Sequence, residues 1–154
     1  MVESVLDMFR RIAWATDGSS AADNALAFAR ALVAHDPDAQ LVVVHVDEVL
    51  PGARAAFAPL AADEVAVEDK IRGQIVELRA AGLKVSEQTT SRTPGEVAPA
   101  IAELADAADA DVIVVGTRGR TPLTGLLLGS VSQRLLHIAR QPVLMVPPTA
   151  TPPR

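Results

Sequence analysis

The chain contains no cysteine and no tyrosine, and aromatic residues make up only 3% of it. Without thiols it can build no disulfide framework, thiolate nucleophile or zinc-thiolate centre. With so few aromatic rings it lacks the stacking surface of a single-stranded nucleic-acid platform. Long apolar runs are missing as well. Stretches such as Val112 to Val115 fall far short of the ~20 residues that cross a bilayer, so no membrane span is expected. The opening MVESVLDMFRR has neither a basic lead nor a small-residue cleavage site, so it does not read as a secretory signal, and a cytoplasmic location is expected. Lysine is scarce, confined to Lys70 and Lys84, and neither lies in a glycine loop as a Walker A motif requires. Acids are absent from Val112 onward: all 19 lie at or before Asp111, whereas arginines 118, 120, 134, 140 and 154 follow it. The C-terminal segment therefore carries +5 and the first 111 residues −10. A net charge of −5 disfavours nucleic acid as a partner, while the basic segment suits a small anion.

What the chain does have is 49% hydrophobic residues within 154, enough for one globular domain. Short apolar runs at Ile12–Ala15, Leu41–Val46, Leu83–Thr89, Val112–Val115 and Val143–Val146 predict five strands. Between them, apolar residues recur at helical spacing: Leu26, Ala29, Leu32, Val33; Val67, Ile71, Ile75, Leu78; Val97, Ile101, Leu104, Ala108; and Val131, Leu135, Ile138. Thr93, Pro94 and Glu96 read as a cap, first-turn proline and capping-box acid for the third helix, and Gly82 as the C-terminal cap of the second. Val, Ile and Leu runs without polar alternation predict strands buried on both faces, hence a single doubly wound (Rossmann-like) α/β domain. In such a sheet, ligands bind beyond the carboxyl ends of the strands where the winding reverses, which directs attention to the loops after strands one and four. The domain is expected over residues 1–148, with 149–154 a disordered proline-rich tail, and Asp47–Pro59 a long connection between strand two and helix two.

The loop after strand four is the informative one. It runs Gly116-Thr-Arg118-Gly119 and reaches Gly129-Ser130-Val131-Ser132 where the last helix begins. Glycines there let the backbone turn and present its amides, and first-turn amides at the positive end of a helix dipole attract phosphate. Ser130 and Ser132 could add hydroxyls, and Arg118 and Arg120 charge.

The spacing Gly116-x2-Gly119-x9-Gly129-Ser130 matches the nucleotide-binding signature of the universal stress protein family. Ala15-Thr16-Asp17-Gly18-Ser19, His45-Val46 and Pro142-Val143-Leu144-Met145-Val146 also resemble family wording in the right order. The resemblance implies a five-stranded parallel sheet of order 3-2-1-4-5 and ATP as ligand, with any Mg²⁺ held by the phosphates; the lack of any acid from Val112 onward and of metal-ligand spacing leads to the expectation of no catalytic residue and no protein-bound metal. The resemblance further implies that Ala15 and Asp17 border the adenosine, with Val46 and Val115 alongside the base. Gly116, Arg118 and Gly119 would line the ribose and first phosphates, while Gly129, Ser130, Val131 and Ser132 hold the phosphate chain. Pro122 departs from the family's usual glycine or serine and stiffens the loop.

Structural roles compete with some of these. Asp17-Gly-Ser is also a turn and helix cap, with Ser19 or Ser20 as capping residue. His35, His45 and His137 lack metal-ligand spacing, and His45 reads as a hydrogen-bonded strand-end residue. Asp63, Glu64, Glu68 and Asp69 read as a solvated acidic face at the start of helix two, and Trp14 as core. The function expected is a nucleotide-responsive regulatory or stress-response module; the alternatives are a slow ATPase or phosphoryl-transfer enzyme, or a dimeric scaffold without nucleotide. Strand five, apolar at every position and without an edge lysine, is expected to pair with a second copy through residues 143–146.

Overall fold

A computed structural model describes residues 4–49, 58–118, 128–152 and 154, with side chains of the second helix from Asp63 onward. Gly119, Arg120 and Pro122 lie outside the described residues. The elements run β1 (Arg11–Thr16), α1 (Ser20–Val33), β2 (Gln40–Glu48), α2 (Ala58–Ala80), β3 (Lys84–Arg92), α3 (Val97–Ala107), β4 (Val112–Gly116), α4 (Ser130–Ile138) and β5 (Val143–Val146). The strands form one sheet of order β3-β2-β1-β4-β5, and every pairing is parallel. This is the doubly wound architecture that the sequence predicts.

Strand alternation divides the core into two layers. Ile12, Trp14, Leu41, Val43, Val112 and Val114 face α1 and α2. Ala13, Ala15, Val42, Val44, Val46, Ile113 and Val115 face α3 and α4. The central strands β1, β2 and β4 are covered on both sides, which is why their runs show no polar alternation. Trp14 is fully buried at the sheet centre, and its indole Nε1 donates to the Ala22 carbonyl at 2.9 Å, so its one polar atom is satisfied. Ala22, Ala25 and Ala29 give α1 a face shallow enough to lie over that ring. Replacing a ring so enclosed with alanine typically costs about 3–5 kcal/mol.

Four local expectations need correction. Thr93 does cap the turn at Pro94–Glu96, but its hydroxyl donates to the Glu96 carboxylate at 2.9 Å instead of accepting a backbone amide. That first turn is 3-10, so the two side chains meet each other. Helix α2 begins at Ala58, which sets Pro59 inside its first turn and shortens the preceding connection. Asp63 to Asp69 therefore lie inside the helix, beyond the reach of its N-terminal dipole. The tail is docked at its base: Asn24 Nδ2 donates to the carbonyls of Pro147 and Ala150, and Ala150 packs on the α1 side of the core. A proline-rich composition gave no hint of a partner asparagine so distant in sequence.

One carboxylate ties the amino ends of β1 and β4 together. Asp111 Oδ2 accepts the amides of Arg10 at 2.9 Å and Arg11 at 2.8 Å, while the Asp111 amide donates to the Arg11 carbonyl at 2.8 Å. Charge-assisted bonds of this kind contribute more than neutral ones. Asp111→Ala is expected to lower unfolding stability by about 2 kcal/mol, and Asp111→Asn, which keeps one acceptor, by less. Urea denaturation measures both, and an unchanged midpoint for the alanine variant would contradict the role given to this clamp.

Candidate functional site

The register Trp14↔Val114 brings the carboxyl ends of β1 and β4 level, at Thr16 and Gly116. From these neighbouring ends the chain departs in opposite directions, into α1 on one face and toward α4 on the other. A crevice between diverging connections follows from that reversal.

On the β1 side, the sequence Asp17-Gly18-Ser19 builds a tight entry to α1. Gly18 takes φ +78, a conformation that L side chains rarely adopt. Asp17 Oδ1 accepts the Ser19 amide at 3.0 Å, and Ser19 Oγ accepts the Ala22 amide at 3.2 Å. Ser19, rather than Ser20, is thus the cap, and one oxygen of Asp17 is engaged in shaping the turn. Ala15, Val46 and Val115 are buried neighbours within the α3/α4 layer, where they form a small apolar wall beneath the strand ends.

On the β4 side, Gly116 does not have a positive φ, so conformational freedom is not what glycine supplies there. A Cβ at Gly116 would stand 2.9 Å from the Ala21 carbonyl oxygen, and glycine is what lets the strand end pass beneath the first turn of α1. The base of the following loop is closed by two bonds. The Gly129 amide donates to the Thr117 carbonyl, and the buried Ser132 hydroxyl donates to the Gly116 carbonyl at 2.6 Å. Ser132 therefore spends its hydroxyl proton on holding α4 against β4. Thr117 escaped the sequence reading because its contribution is a backbone carbonyl, which leaves no trace in residue type. Arg118 is exposed at the strand end, and Gly119 lies outside the described residues.

These bonds aim the start of α4 at the crevice. Gly129 is the N-cap in extended geometry, with φ −68 and ψ 159, and it has no side chain to cap with. The amides of Ser130, Val131 and Ser132 are first-turn donors without an intrahelical acceptor. Ser130 is exposed and Val131 half-buried. No acid follows Asp111, so nothing on this side opposes an anion at those amides. Of the remaining basic residues, Arg134 donates to the Gly95 carbonyl at 2.7 Å and Arg140 lies 3.9 Å from Asp106; both secure α4 and its exit against neighbouring elements. The arrangement fits a phosphorylated ligand whose charge meets backbone donors.

Residues 8–147 match the model of the universal stress protein family. A universal stress protein from Thermus aquaticus is 35% identical over 141 residues, covering 90% of this chain and 99% of its own. Among solved structures, a universal stress protein from Archaeoglobus fulgidus in complex with dAMP has a TM-score of 0.64 and 25% identity, covering 90% of this chain and 98% of its own. A further universal stress protein, in complex with cAMP, has a TM-score of 0.59 and 25% identity, covering 90% of this chain and 97% of its own. A family model satisfied along nearly the whole sequence, together with a parallel sheet of order β3-β2-β1-β4-β5, makes this chain a member of the universal stress protein family.

Proposed function

We propose that this chain is a cytoplasmic, nucleotide-responsive regulatory module that binds ATP across the carboxyl ends of β1 and β4. The observation that carries this reading is the uncapped start of α4, held toward the crevice by Ser132 and Gly116. The dAMP and cAMP complexes of its relatives support an adenine nucleotide in particular. In this reading Ala15, Val46 and Val115 lie beside the adenine, and Asp17 borders the adenosine. Gly116, Arg118 and Gly119 follow the ribose and first phosphates. The amides of Ser130, Val131 and Ser132 meet the phosphate chain, which Gly129 lets approach because it has no side chain, and any Mg²⁺ rides on the phosphates. Ser130→Asp tests the phosphate end without threatening the fold, because Ser130 is exposed in the first turn of α4, where an acid suits the helix dipole while its charge repels phosphate. ATP affinity by calorimetry is expected to fall by about tenfold or more, with the melting temperature unchanged or raised. Undiminished affinity would sink the assignment.

We propose further that the module is not an enzyme. Phosphoryl transfer needs a positioned base and a carboxylate that holds Mg²⁺ near the γ-phosphate, and the segment from Val112 onward contains no acid. Phosphate release under saturating ATP and Mg²⁺ is expected to stay far below about one turnover per second; turnover at that rate or faster would make it a catalyst.

The homodimer reading rests on β5, the sheet edge opposite β3. Val143, Leu144 and Met145 are partly exposed there, and Leu136 and Ile138 are exposed on α4, which packs against β5. Val146 is instead a core residue of the single chain, so it is no probe of the edge. Sedimentation at tens of micromolar is expected to give a dimer for the wild type and a monomer for Leu144→Lys. A monomeric wild type would refute the contact.

A further inference from the structure

A separate group of donor atoms lies on the opposite face of the sheet from Ala15, Val46 and Val115. Alternation along β2 turns His45 and Asp47 toward α2, and α2 brings Glu64 over them. The His45 side chain is only 3% exposed. Its Nδ1 lies 2.8 Å from the Thr16 carbonyl oxygen, which can only accept, so Nδ1 carries a proton and donates it.

Nε2 then faces Asp47 Oδ1 at 2.8 Å and Glu64 Oε2 at 3.9 Å. A neutral imidazole would point its Nε2 lone pair at the Asp47 oxygen, which repels, so this pair needs a positive centre. A proton on Nε2 is one way to supply it. Yet the close approach of Nε2 to Asp47 Oδ1 lacks hydrogen-bond alignment: both atoms are buried and neither has a hydrogen-bond partner among the described residues. Among the described residues the nearby cations are engaged elsewhere. Lys70 donates to the Gly18 carbonyl and to Asp23, each at 2.7 Å, and Arg72 pairs with Asp69 at 2.9 Å.

We propose that His45, Asp47 and Glu64 form a binding site for a divalent first-row cation, with zinc the natural probe. One imidazole nitrogen and two carboxylate oxygens are ligands that zinc accepts, and the three ligand atoms lie within 4.8 Å of one another. In a tetrahedral site with bonds of about 2.0–2.1 Å, donors stand about 3.4 Å apart. Bringing Asp47 Oδ1 and Glu64 Oε2, now at 2.8 and 3.9 Å from Nε2, to that distance takes a shift of about half an ångström each along those lines, and both side chains are partly exposed. The Nδ1–H bond to a backbone carbonyl is the outer contact that orients metal-ligating histidines. A recess of ≈ 190 Å³ lined by His45, Asp47, Glu68, Glu87 and Arg72, whose guanidinium pairs with Asp69, opens beside the imidazole and gives a cation entry. The spacing His45-x-Asp47 puts two ligands on one face of a strand; the sequence reading missed the site because the third ligand comes from another element.

The test uses full-length, chelator-stripped, nucleotide-free protein. Calorimetry with Zn²⁺ and metal analysis after dialysis are expected to give one zinc per chain, bound at about micromolar affinity or tighter. Asp47→Asn and Glu64→Gln should each weaken it by about tenfold or more and leave the circular dichroism melt of the metal-free protein intact. Ser130→Asp should bind zinc as the wild type does, which separates this site from the phosphate end of the crevice. Absence of zinc uptake by the wild type, or an undiminished affinity in the Asp47→Asn, Glu64→Gln double variant, would overturn the proposal. Because His45 is buried and bonded to Thr16, a His45 variant risks the fold, and the carboxylate variants carry the result.

Discussion

The pairing of β1 with β4 is the constraint on which the rest of the molecule depends. These strands come from distant parts of the chain, yet they must lie side by side because each is the inner strand of its own half of the sheet. Right-handed crossovers then send the two halves in opposite directions, so helices cover both faces and the reversal falls at the β1 and β4 carboxyl ends. Each end of that seam has its own fastening. Asp111 gathers the amides of Arg10 and Arg11 at the amino end, and at the carboxyl end the lack of a side chain on Gly116 admits the first turn of α1. A larger residue at Gly116 would press on backbone, which yields less readily than a flexible side chain.

The fold was legible because its strands are short apolar runs and its helices carry apolar residues at helical spacing, two periods that do not resemble each other. Boundaries were less legible. Strands β2 and β3 each extend to nine residues because their ladder continues through polar positions such as Asp47↔Ser91, where backbone pairing persists without apolar side chains. The start of α2 was hidden by alanine and proline, which suit a loop or a first helical turn equally well. At the candidate site, glycine spacing identified the segment, since glycine is demanded by close backbone approach and leaves its mark in sequence. What Ser132 and Thr117 do was not legible: a serine near a helix start can face a ligand or its own backbone, and only the 2.6 Å bond to the Gly116 carbonyl decides which.

That bond also bears on how the proposed anion site would form without buried cationic side chains. Burying an unpaired arginine or lysine carries a desolvation penalty of several kcal/mol, whereas first-turn amides are already present and need a partner in any case. Orienting them requires only that the start of α4 be held in position. The Ser132 hydroxyl and the Gly129 amide do so by binding the carbonyls of two consecutive residues, Gly116 and Thr117, at the end of β4. Of the basic residues described in this segment, Arg134 fastens α4 to Gly95, while Arg118 stays exposed at the end of β4, where its charge is kept in water.

The sheet also keeps two kinds of chemistry apart. On the α3/α4 side of the strand ends, the groups on offer are backbone donors over a small apolar wall. On the α1/α2 side they are acceptors, namely the His45 imidazole with the carboxylates of Asp47 and Glu64. Strand alternation alone produces this division, because Val46 faces one layer while His45 and Asp47 on either side of it face the other. The charge distribution along the chain agrees with it: acids accumulate in the first 111 residues, which supply β2 and α2, and vanish from the segment that supplies α4. The Thr16 carbonyl, in the last residue of β1, is where the two faces meet: it accepts from His45, and the next residue, Asp17, opens the turn into α1. The orientation of His45 is therefore anchored to the same strand end that borders the crevice, so movement of the β1 terminus on one face displaces a hydrogen-bond acceptor on the other.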